Sequence, residues 1–286
     1  MSTPKMKNMA LAAIVLCGII AGTNGVLIKS MSSMSAGAIG FFRTFIPALF
    51  LFLLMLRSEK SVWRGNNRKM LVASSINAGR MYLYLIAFIY TSIGNAVVLF
   101  YTWPIFTAII GMVYPKEKVS LKHMLLLLSA FVGLVVIYSE KSFSFEDRDF
   151  IGMVAAVGAA LGYSITVIIF KSESDNYHRN ELIFFQNLVG AFIFLPFFIL
   201  DFPSIETSHL SIAVFYAFLV GIVIFSLFFY GLKILPATMA SSLMYLEVVS
   251  AILIGVFFLG ESMSIRMIVG GVMIIASSFS LTQMRQ

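Results

Sequence analysis

The sequence predicts an all-α integral membrane protein whose ten transmembrane helices form two inverted five-helix repeats. Three observations lead to this prediction. Of the 286 residues, 60% are hydrophobic and 12% are charged, and the mean hydropathy of +0.96 is far above that of soluble proteins. The apolar residues form separate runs of about 20 residues, the length that an α-helix needs to cross a bilayer. The two halves of the chain also resemble each other when the sequence is compared with itself at a fixed shift.

The apolar runs follow one another with short connections, so the prediction leaves no soluble domain or long linker. The first run follows Lys5 and Lys7 as a signal peptide would, but it is about 20 residues long and has no small-residue cleavage site. We therefore expect it to remain as the first span. The ten predicted spans cover residues 9–29, 35–56, 70–90, 94–114, 119–139, 150–170, 180–200, 210–230, 237–257 and 264–282.

The lysines and arginines are distributed unequally between the two sides of the membrane. With the N-terminus in the cytoplasm, 14 of the 20 lie on the cytoplasmic side, four lie on the other side, and Arg43 and Arg80 lie within spans. Because short cytoplasmic loops are enriched in Lys and Arg, we expect both termini to be cytoplasmic. The net charge of +7 is then a signal of membrane topology, and no nucleic-acid partner is expected.

The sequence contains no pattern typical of redox, metal or catalytic chemistry. Cys17 is the single cysteine, so no internal disulfide can form, and His123, His178 and His209 are too scattered to bind a metal together. We expect no cofactor. An intramembrane enzyme would need a cluster such as His-Glu-x-x-His or paired acids, and a channel would need a selectivity ring. Neither pattern is present, so we expect the protein not to be an enzyme.

An internal repeat organises the chain. Residues 95–120 match residues 239–264 at seven of 26 positions when the two segments are aligned without gaps. Each half holds five predicted spans, so we place the first repeat at residues 1–143 and the second at residues 144–286. Because five is odd, the second repeat enters the membrane from the opposite side. Secondary transporters are often built this way, with a substrate site near the midplane between the repeats.

Three charged residues fall well inside predicted spans, away from the span ends. Glu247 is at the middle of the ninth span, where a charge costs about 2.5 to 3.5 kcal/mol and by default marks a functional site. Arg80 is near the centre of the third span, and the spacing of Asn77, Arg80 and Tyr84 places them on one helix face. Two alternatives stay open. Arg80 and Glu247 could form an ion pair that only locks helices together, and Arg43, in the second span, could extend to the membrane surface.

Aromatic residues accompany these charges. The fourth span contains Tyr101, Trp103 and Pro104, and we expect a kink at Pro104 because proline removes a backbone donor. In the repeat alignment Trp103 falls opposite Glu247, so an aromatic wall could face the acid. The ten candidate substrate-binding residues are Asn24, Arg43, Asn77, Arg80, Tyr84, Tyr101, Trp103, Tyr163, Tyr245 and Glu247.

Other conspicuous residues are expected to be structural. Gly22, Gly25 and Gly162 interrupt apolar runs, and small residues allow helices to pack closely. Glu117 and Glu261 each come shortly before a span, where an acid is favoured by the free N–H groups and the dipole of a helix N-terminus.

Four segments occur in a characteristic combination: GFFRTF in the second span, FYGLKILPATMASSL, YLEVVSAILIGVFFLGE, and VGGVMIIASS in the last span. Together they resemble the EamA family of the drug/metabolite transporter superfamily over nearly the whole chain. The resemblance implies a central cavity lined mainly by spans one to four and six to nine, with spans five and ten at the periphery. It also implies transport of small metabolites, often amino-acid efflux. The AGTNG segment departs from the family pattern, because many members have a Trp-Gly pair there. Arg80 departs from it as well and indicates a substrate preference of its own.

The leading hypothesis is an alternating-access transporter of a small metabolite in the bacterial inner membrane, acting as a monomer or homodimer. Arg43 and Arg80 together with Glu247 could bind the carboxylate and ammonium groups of an amino acid or similar zwitterion. The direction, efflux, rests on the resemblance alone. Glu247 could also change protonation during the cycle, which would make protons a partner. The alternatives are transport of an organic anion, a nucleoside or a nucleotide-like metabolite, or a membrane protein that transports nothing.

Overall fold

The structure is a computed structural model that describes residues 3–56, 65–139, 147–260 and 262–284. Within these ranges all regular secondary structure is helical. Among the described residues, nine helical segments are long and apolar enough to cross a membrane, and a pair of helices that meet at 52° brings the number to ten when it is counted as one span. The prediction of ten spans is confirmed, and the predicted ends lie within a few residues of those observed.

The spans differ in continuity. The second, third, fifth, sixth and tenth are single helices: Ala36–Leu56, Asn67–Tyr90, Leu121–Tyr138, Asp147–Glu173 and Ile265–Thr282. The first, fourth, seventh and ninth each consist of two helices: Pro4–Ala21 with Asn24–Lys29, Ile93–Phe100 with Trp103–Val113, Arg179–Ile193 with Leu195–Asp201, and Ala237–Leu243 with Leu246–Leu259. In the eighth span, a π-helical segment, Leu219–Ile224, joins Thr207–Phe218 to Phe225–Ile234.

The sequence repeat reappears in how helices begin. Ser120 Oγ accepts a hydrogen bond from the backbone N–H of His123 at 3.2 Å, and Ser264 Oγ accepts one from that of Met267 at 3.2 Å. Each serine satisfies one of the N–H groups that a helix leaves free at its N-terminus. The two serines are equivalent in the repeat alignment, so the fifth and tenth spans start with the same cap.

The fourth and ninth spans are interrupted at similar positions. The fourth is broken at Tyr101 and Thr102, and the ninth at Met244 and Tyr245, so the two breaks overlap at the equivalent residues Tyr101 and Tyr245. Pro104 is the second residue of the helix that follows the first break, which agrees with the kink predicted there. No proline accompanies the break in the ninth span, so only the repeat could have indicated it.

Side chains from other spans bind the carbonyl groups near the fourth-span break. The Tyr245 hydroxyl donates to the carbonyl oxygen of Tyr101 at 2.8 Å, and Ser164 Oγ donates to that of Trp103 at 2.8 Å. In a bilayer no lipid group can replace such bonds, so an interrupted helix is stable only where protein or cavity water supplies them. The break is therefore held by the sixth and ninth spans.

The packing of the spans follows a pseudo-twofold symmetry. The third span packs against the sixth and the first against the eighth, while the second packs against the seventh, the fourth against the ninth and the fifth against the tenth. When the two halves are exchanged, the contact of the third span with the sixth becomes that of the eighth span with the first. The other three contacts are unchanged by the exchange. The inverted repeats thus match the observed contacts. The division proposed between residues 143 and 144 lies outside the described residues.

Close helix packing explains two of the three glycines. A Cβ atom on Gly22 would lie 2.6 Å from the backbone nitrogen of Ala251, and one on Gly162 would lie 2.8 Å from Cβ of Arg80. Either contact would force the helices apart. The expectation is wrong for Gly25, where an added Cβ atom would meet no neighbouring helix of the described chain within 4 Å.

Glu117 is structural, but it supports a different helix from the one that follows it. Its Oε1 accepts a hydrogen bond from the backbone N–H of Ala237 at 2.6 Å, and its Oε2 accepts one from that of Thr238 at 3.0 Å. Glu117 therefore caps the first helix of the ninth span and connects the two halves of the protein. Its predicted counterpart, Glu261, lies outside the described residues.

Candidate functional site

Glu247 lies in the first turn of the helix that follows the ninth-span break. Its Oε1 accepts a hydrogen bond from Asn24 Nδ2 at 3.3 Å, and the Tyr101 hydroxyl lies close to the carboxylate. The first, fourth and ninth spans therefore meet at this carboxylate. Glu247 is half-buried, whereas Tyr245 and Val248 beside it in the chain are buried.

Tyr101 and Tyr245 contact each other at the two breaks. Their ring centroids are 6.0 Å apart, and they are also linked by the hydrogen bond from the Tyr245 hydroxyl to the Tyr101 carbonyl. Because the two residues are equivalent in the repeat, the pseudo-twofold axis passes between them. Their hydroxyl groups have different uses. That of Tyr245 holds the backbone of the fourth span, whereas that of Tyr101 faces Glu247.

Arg43 points into the bundle and is surrounded by neutral side chains. Its Nη1 lies 3.4 Å from the sulfur of Met81, and its guanidinium carbon lies 5.3 Å from the ring centroid of Phe225; the Tyr216 hydroxyl lies close by. These contacts with the third and eighth spans disagree with an anchor at the membrane surface. No ion pair joins Arg43 to Glu247 among the described residues.

Arg80 is held by an amide and an aromatic ring. Its Nε donates to Asn77 Oδ1 at 3.0 Å, and its guanidinium carbon lies 4.2 Å from the ring centroid of Tyr163. Asn77 donates in turn to the carbonyl oxygen of Gln186 at 2.8 Å. Asn77 and Arg80 thus share a helix face, as predicted. Arg80 and Glu247 are both among the described residues and form no ion pair with each other. The structure therefore does not contain the alternative considered above, an ion pair that only locks helices together.

Aromatic rings connect the surroundings of Arg80 to those of Tyr101. The ring centroid of Tyr163 lies 4.7 Å from that of Trp103 and 6.0 Å from that of Phe100. Phe100 lies 4.5 Å from Tyr84 and 5.9 Å from Tyr101. Trp103 itself is buried, with its ring against Tyr163.

The aromatic residue that faces the acid differs from the one expected. The repeat alignment places Trp103 opposite Glu247, but the structure brings Tyr101 to the carboxylate instead. The reason is the break in the fourth span. Trp103 starts the new helix and turns towards the sixth span, whereas Tyr101 lies at the break itself.

The ten predicted residues form one continuous set of contacts, some direct and some through Met81 and Phe100. We call these ten residues the central site. Asn24 Oδ1 is buried there without a hydrogen-bonding partner. Buried polar atoms are rarely left unpaired, so this acceptor indicates a place for a donor that the protein does not supply.

Several residues next to the central site were not predicted. Met81 and Phe225 both contact Arg43 and are equivalent in the repeat alignment, so the repeat could have paired them once Arg43 was chosen. Gln186 and Asn187 are buried in the seventh span, each with an amide oxygen that lacks a partner. Two consecutive amides in an apolar run were a usable signal. Tyr216 gave none, because nothing in the sequence relates it to Arg43.

Comparison with known proteins assigns the chain to a family. The EamA-like transporter family matches residues 8–139 and, a second time, residues 150–283. The chain belongs to this family. An uncharacterized transporter of Archaeoglobus fulgidus is 28% identical to it over 270 residues, and the match covers 93% of each chain. The pseudopaline exporter CntI of Pseudomonas aeruginosa is 23% identical over 285 residues, and that match covers 98% of each chain.

A solved crystal structure has the same fold. It superposes with a TM-score of 0.84 at 18% sequence identity, and the match covers 99% of this chain and 97% of the solved chain. Family membership and fold together confirm a multi-pass membrane transporter built from two repeats, rather than an enzyme. Each of the two family matches covers one five-span half.

Proposed function

We propose that this EamA-family transporter exports an amino acid or a similar small zwitterion by alternating access. The observation that carries this proposal is that Arg43 and Glu247 both lie inside the bundle, where the described side chains that contact them are neutral. A guanidinium can bind a substrate carboxylate through two parallel hydrogen bonds. Glu247 and the unpartnered Asn24 Oδ1 would accept hydrogen bonds from the substrate ammonium group.

The direction of transport and the orientation in the membrane belong to the same proposal. One relative is named as an exporter, which supports efflux. The distribution of Lys and Arg supports cytoplasmic termini in a bacterial inner membrane.

Thermal unfolding of the purified transporter tests the proposal. The melting temperature would be measured with amino acids, organic acids and nucleosides, each at a saturating concentration. We expect an amino acid to raise it, because a ligand at 100 times its Kd stabilises a protein by about 2.7 kcal/mol. Arg43→Ala and Arg80→Ala should abolish the shift, and Arg179→Ala, which changes an exposed arginine, should keep it.

The same panel contains the competing substrate classes. A shift caused only by nucleosides, or only by anions without an amine, would replace the zwitterion as the proposed substrate. Uptake of the labelled ligand into inside-out proteoliposomes then tests export directly, because this orientation turns efflux into accumulation.

A further inference from the structure

The central site holds more positive than negative charge. Arg43 and Arg80 contribute two cations, and Glu247 contributes one carboxylate. We propose that the substrate carries one acidic group more than a simple amino acid, that is, two carboxylates and one amine. This inference rests on the function proposed above and narrows its substrate class.

The two guanidinium groups are neighbours. Arg43 Nη1 lies 3.4 Å from the sulfur of Met81, and Asn77 Nδ2 lies 3.9 Å from the same sulfur. Asn77 Oδ1 accepts the hydrogen bond from Arg80 at 3.0 Å. Two neutral side chains, Met81 and Asn77, therefore separate two like charges. Like charges repel strongly where little water screens them, so this arrangement favours an anion between or beside them.

Neither guanidinium is neutralised by the described part of the chain. The Arg80 guanidinium contacts the amide of Asn77 and the ring face of Tyr163. The Arg43 guanidinium contacts the thioether of Met81 and the ring face of Phe225. No described carboxylate forms an ion pair with either arginine. The ion pair of Lys69 with Glu173, at 2.9 Å, shows how a cation in another part of the protein is satisfied.

The guanidinium groups have donors beyond those that the described contacts use. A guanidinium has five N–H donors. Among the described residues, their hydrogen bonds run from Arg80 Nε to Asn77 Oδ1 and from Arg43 Nη1 to the sulfur of Met81. The remaining N–H groups are the donors that a substrate carboxylate would bind through two parallel hydrogen bonds.

A simple zwitterion would leave one of the two arginines without a counter-charge. A second substrate carboxylate completes the balance, with one carboxylate at Arg43, one at Arg80, and the amine at Glu247 and Asn24 Oδ1. The aromatic rings between Arg80 and Tyr101 would line the path between these charges.

Three compounds of nearly equal size separate the contributions. Glutamate has both carboxylates and the amine, glutamine lacks the side-chain charge, and glutarate lacks the amine. Transport of each would be measured in proteoliposomes with the wild type, with Arg80→Gln and with Arg80→Lys. We expect the wild type to transport glutamate at least tenfold better than either analogue. Arg80→Gln should remove the preference for glutamate over glutamine, and Arg80→Lys should retain part of it.

The outcomes distinguish this inference from the function on which it rests. Wild-type transport of glutamine as fast as glutamate would overturn the second carboxylate and leave the zwitterion proposal intact. Transport of glutarate as fast as glutamate would overturn the zwitterion proposal, and with it the amine assigned here. If Arg80→Gln melts far below the wild type, Arg43→Gln serves as the second variant, and Arg179→Gln is the control for an exposed charge. Unchanged selectivity in a folded Arg80→Gln and a folded Arg43→Gln would also refute the inference.

Discussion

Glu247 is held by neutral groups inside the membrane. Its carboxylate accepts a hydrogen bond from the Asn24 amide, and the Tyr101 hydroxyl lies close to it. Neutral donors stabilise a carboxylate without fixing it to one cation, so the group stays available to a substrate amine or to a proton. This is the arrangement expected of a group that changes its partner during a transport cycle.

Replacing Glu247 with glutamine tests whether the carboxylate couples transport to protons. Glutamine keeps an oxygen for Asn24 and Tyr101 but cannot exchange a proton. We expect Glu247→Gln to lower substrate transport at neutral pH at least tenfold, since about 1.4 kcal/mol of lost interaction already gives a factor of ten, and to flatten the dependence of the remaining transport on pH. Transport would be measured in proteoliposomes over a range of internal and external pH.

The control for this variant is Glu206→Gln, which changes a carboxylate that is 68% exposed and remote from the central site. It should behave as the wild type does. An unchanged pH profile in Glu247→Gln would rule out proton coupling through this residue while leaving its role in binding the substrate amine untouched.

At the scale of single elements, the sequence predicted the spans well but not where they break. Runs of about 20 apolar residues are required by the thickness of the bilayer, so span positions can be read locally. Pro104 indicated the break at Tyr101 in the sequence. The break at Tyr245 has no local cause. It depends on packing against the fourth span, and such contacts between distant segments leave no trace in local composition.

The same distinction explains the central site. A charged or amide residue in an apolar run is visible from the sequence, and Asn24, Arg43, Asn77, Arg80 and Glu247 were found in this way. Which of them contact one another depends on how the halves pack. Hence the contacts of Arg43 with Met81 and Phe225 could not be derived from spacing along the chain.

The first helix of the ninth span depends on an acid from the other half of the protein. Ala237 and Thr238 are both buried, and Glu117 accepts hydrogen bonds from their backbone N–H groups. We expect Glu117→Ala to reduce stability by about 1 to 3 kcal/mol, because both donors would be left unsatisfied in a buried position. Denaturant unfolding in detergent micelles measures this change.

Glu117→Gln should recover part of the loss, since an amide oxygen can still accept one of the two bonds. Lys122→Ala, an exposed change close by in the chain, should have almost no effect. If Glu117→Ala proved as stable as the Lys122 variant, the cap would not contribute to holding the two halves together.

At the scale of the whole molecule, the symmetric pairing of spans places the charged residues where the two halves meet. The Tyr101–Tyr245 contact and the pair formed by Met81 and Phe225 around Arg43 each join positions that are equivalent in the sequence repeat. Residues at such an axis can keep their mutual contacts while the halves rock about it, so a site built there can be exposed to either side in turn. The seventh span contributes to this arrangement through two helices that meet at 52°.

Cysteine labelling tests that crossing together with the orientation of the chain. Asp175 and Ser208 are exposed residues on either side of the seventh span. With Cys17 replaced by alanine, we expect a membrane-impermeant maleimide to label Ser208→Cys but not Asp175→Cys in intact cells, and to label both after permeabilisation. The reverse pattern would show that the termini lie outside. Labelling of both residues in intact cells would mean that the bent pair does not cross the membrane, and the second repeat would then lose the inverted orientation on which the symmetric site depends.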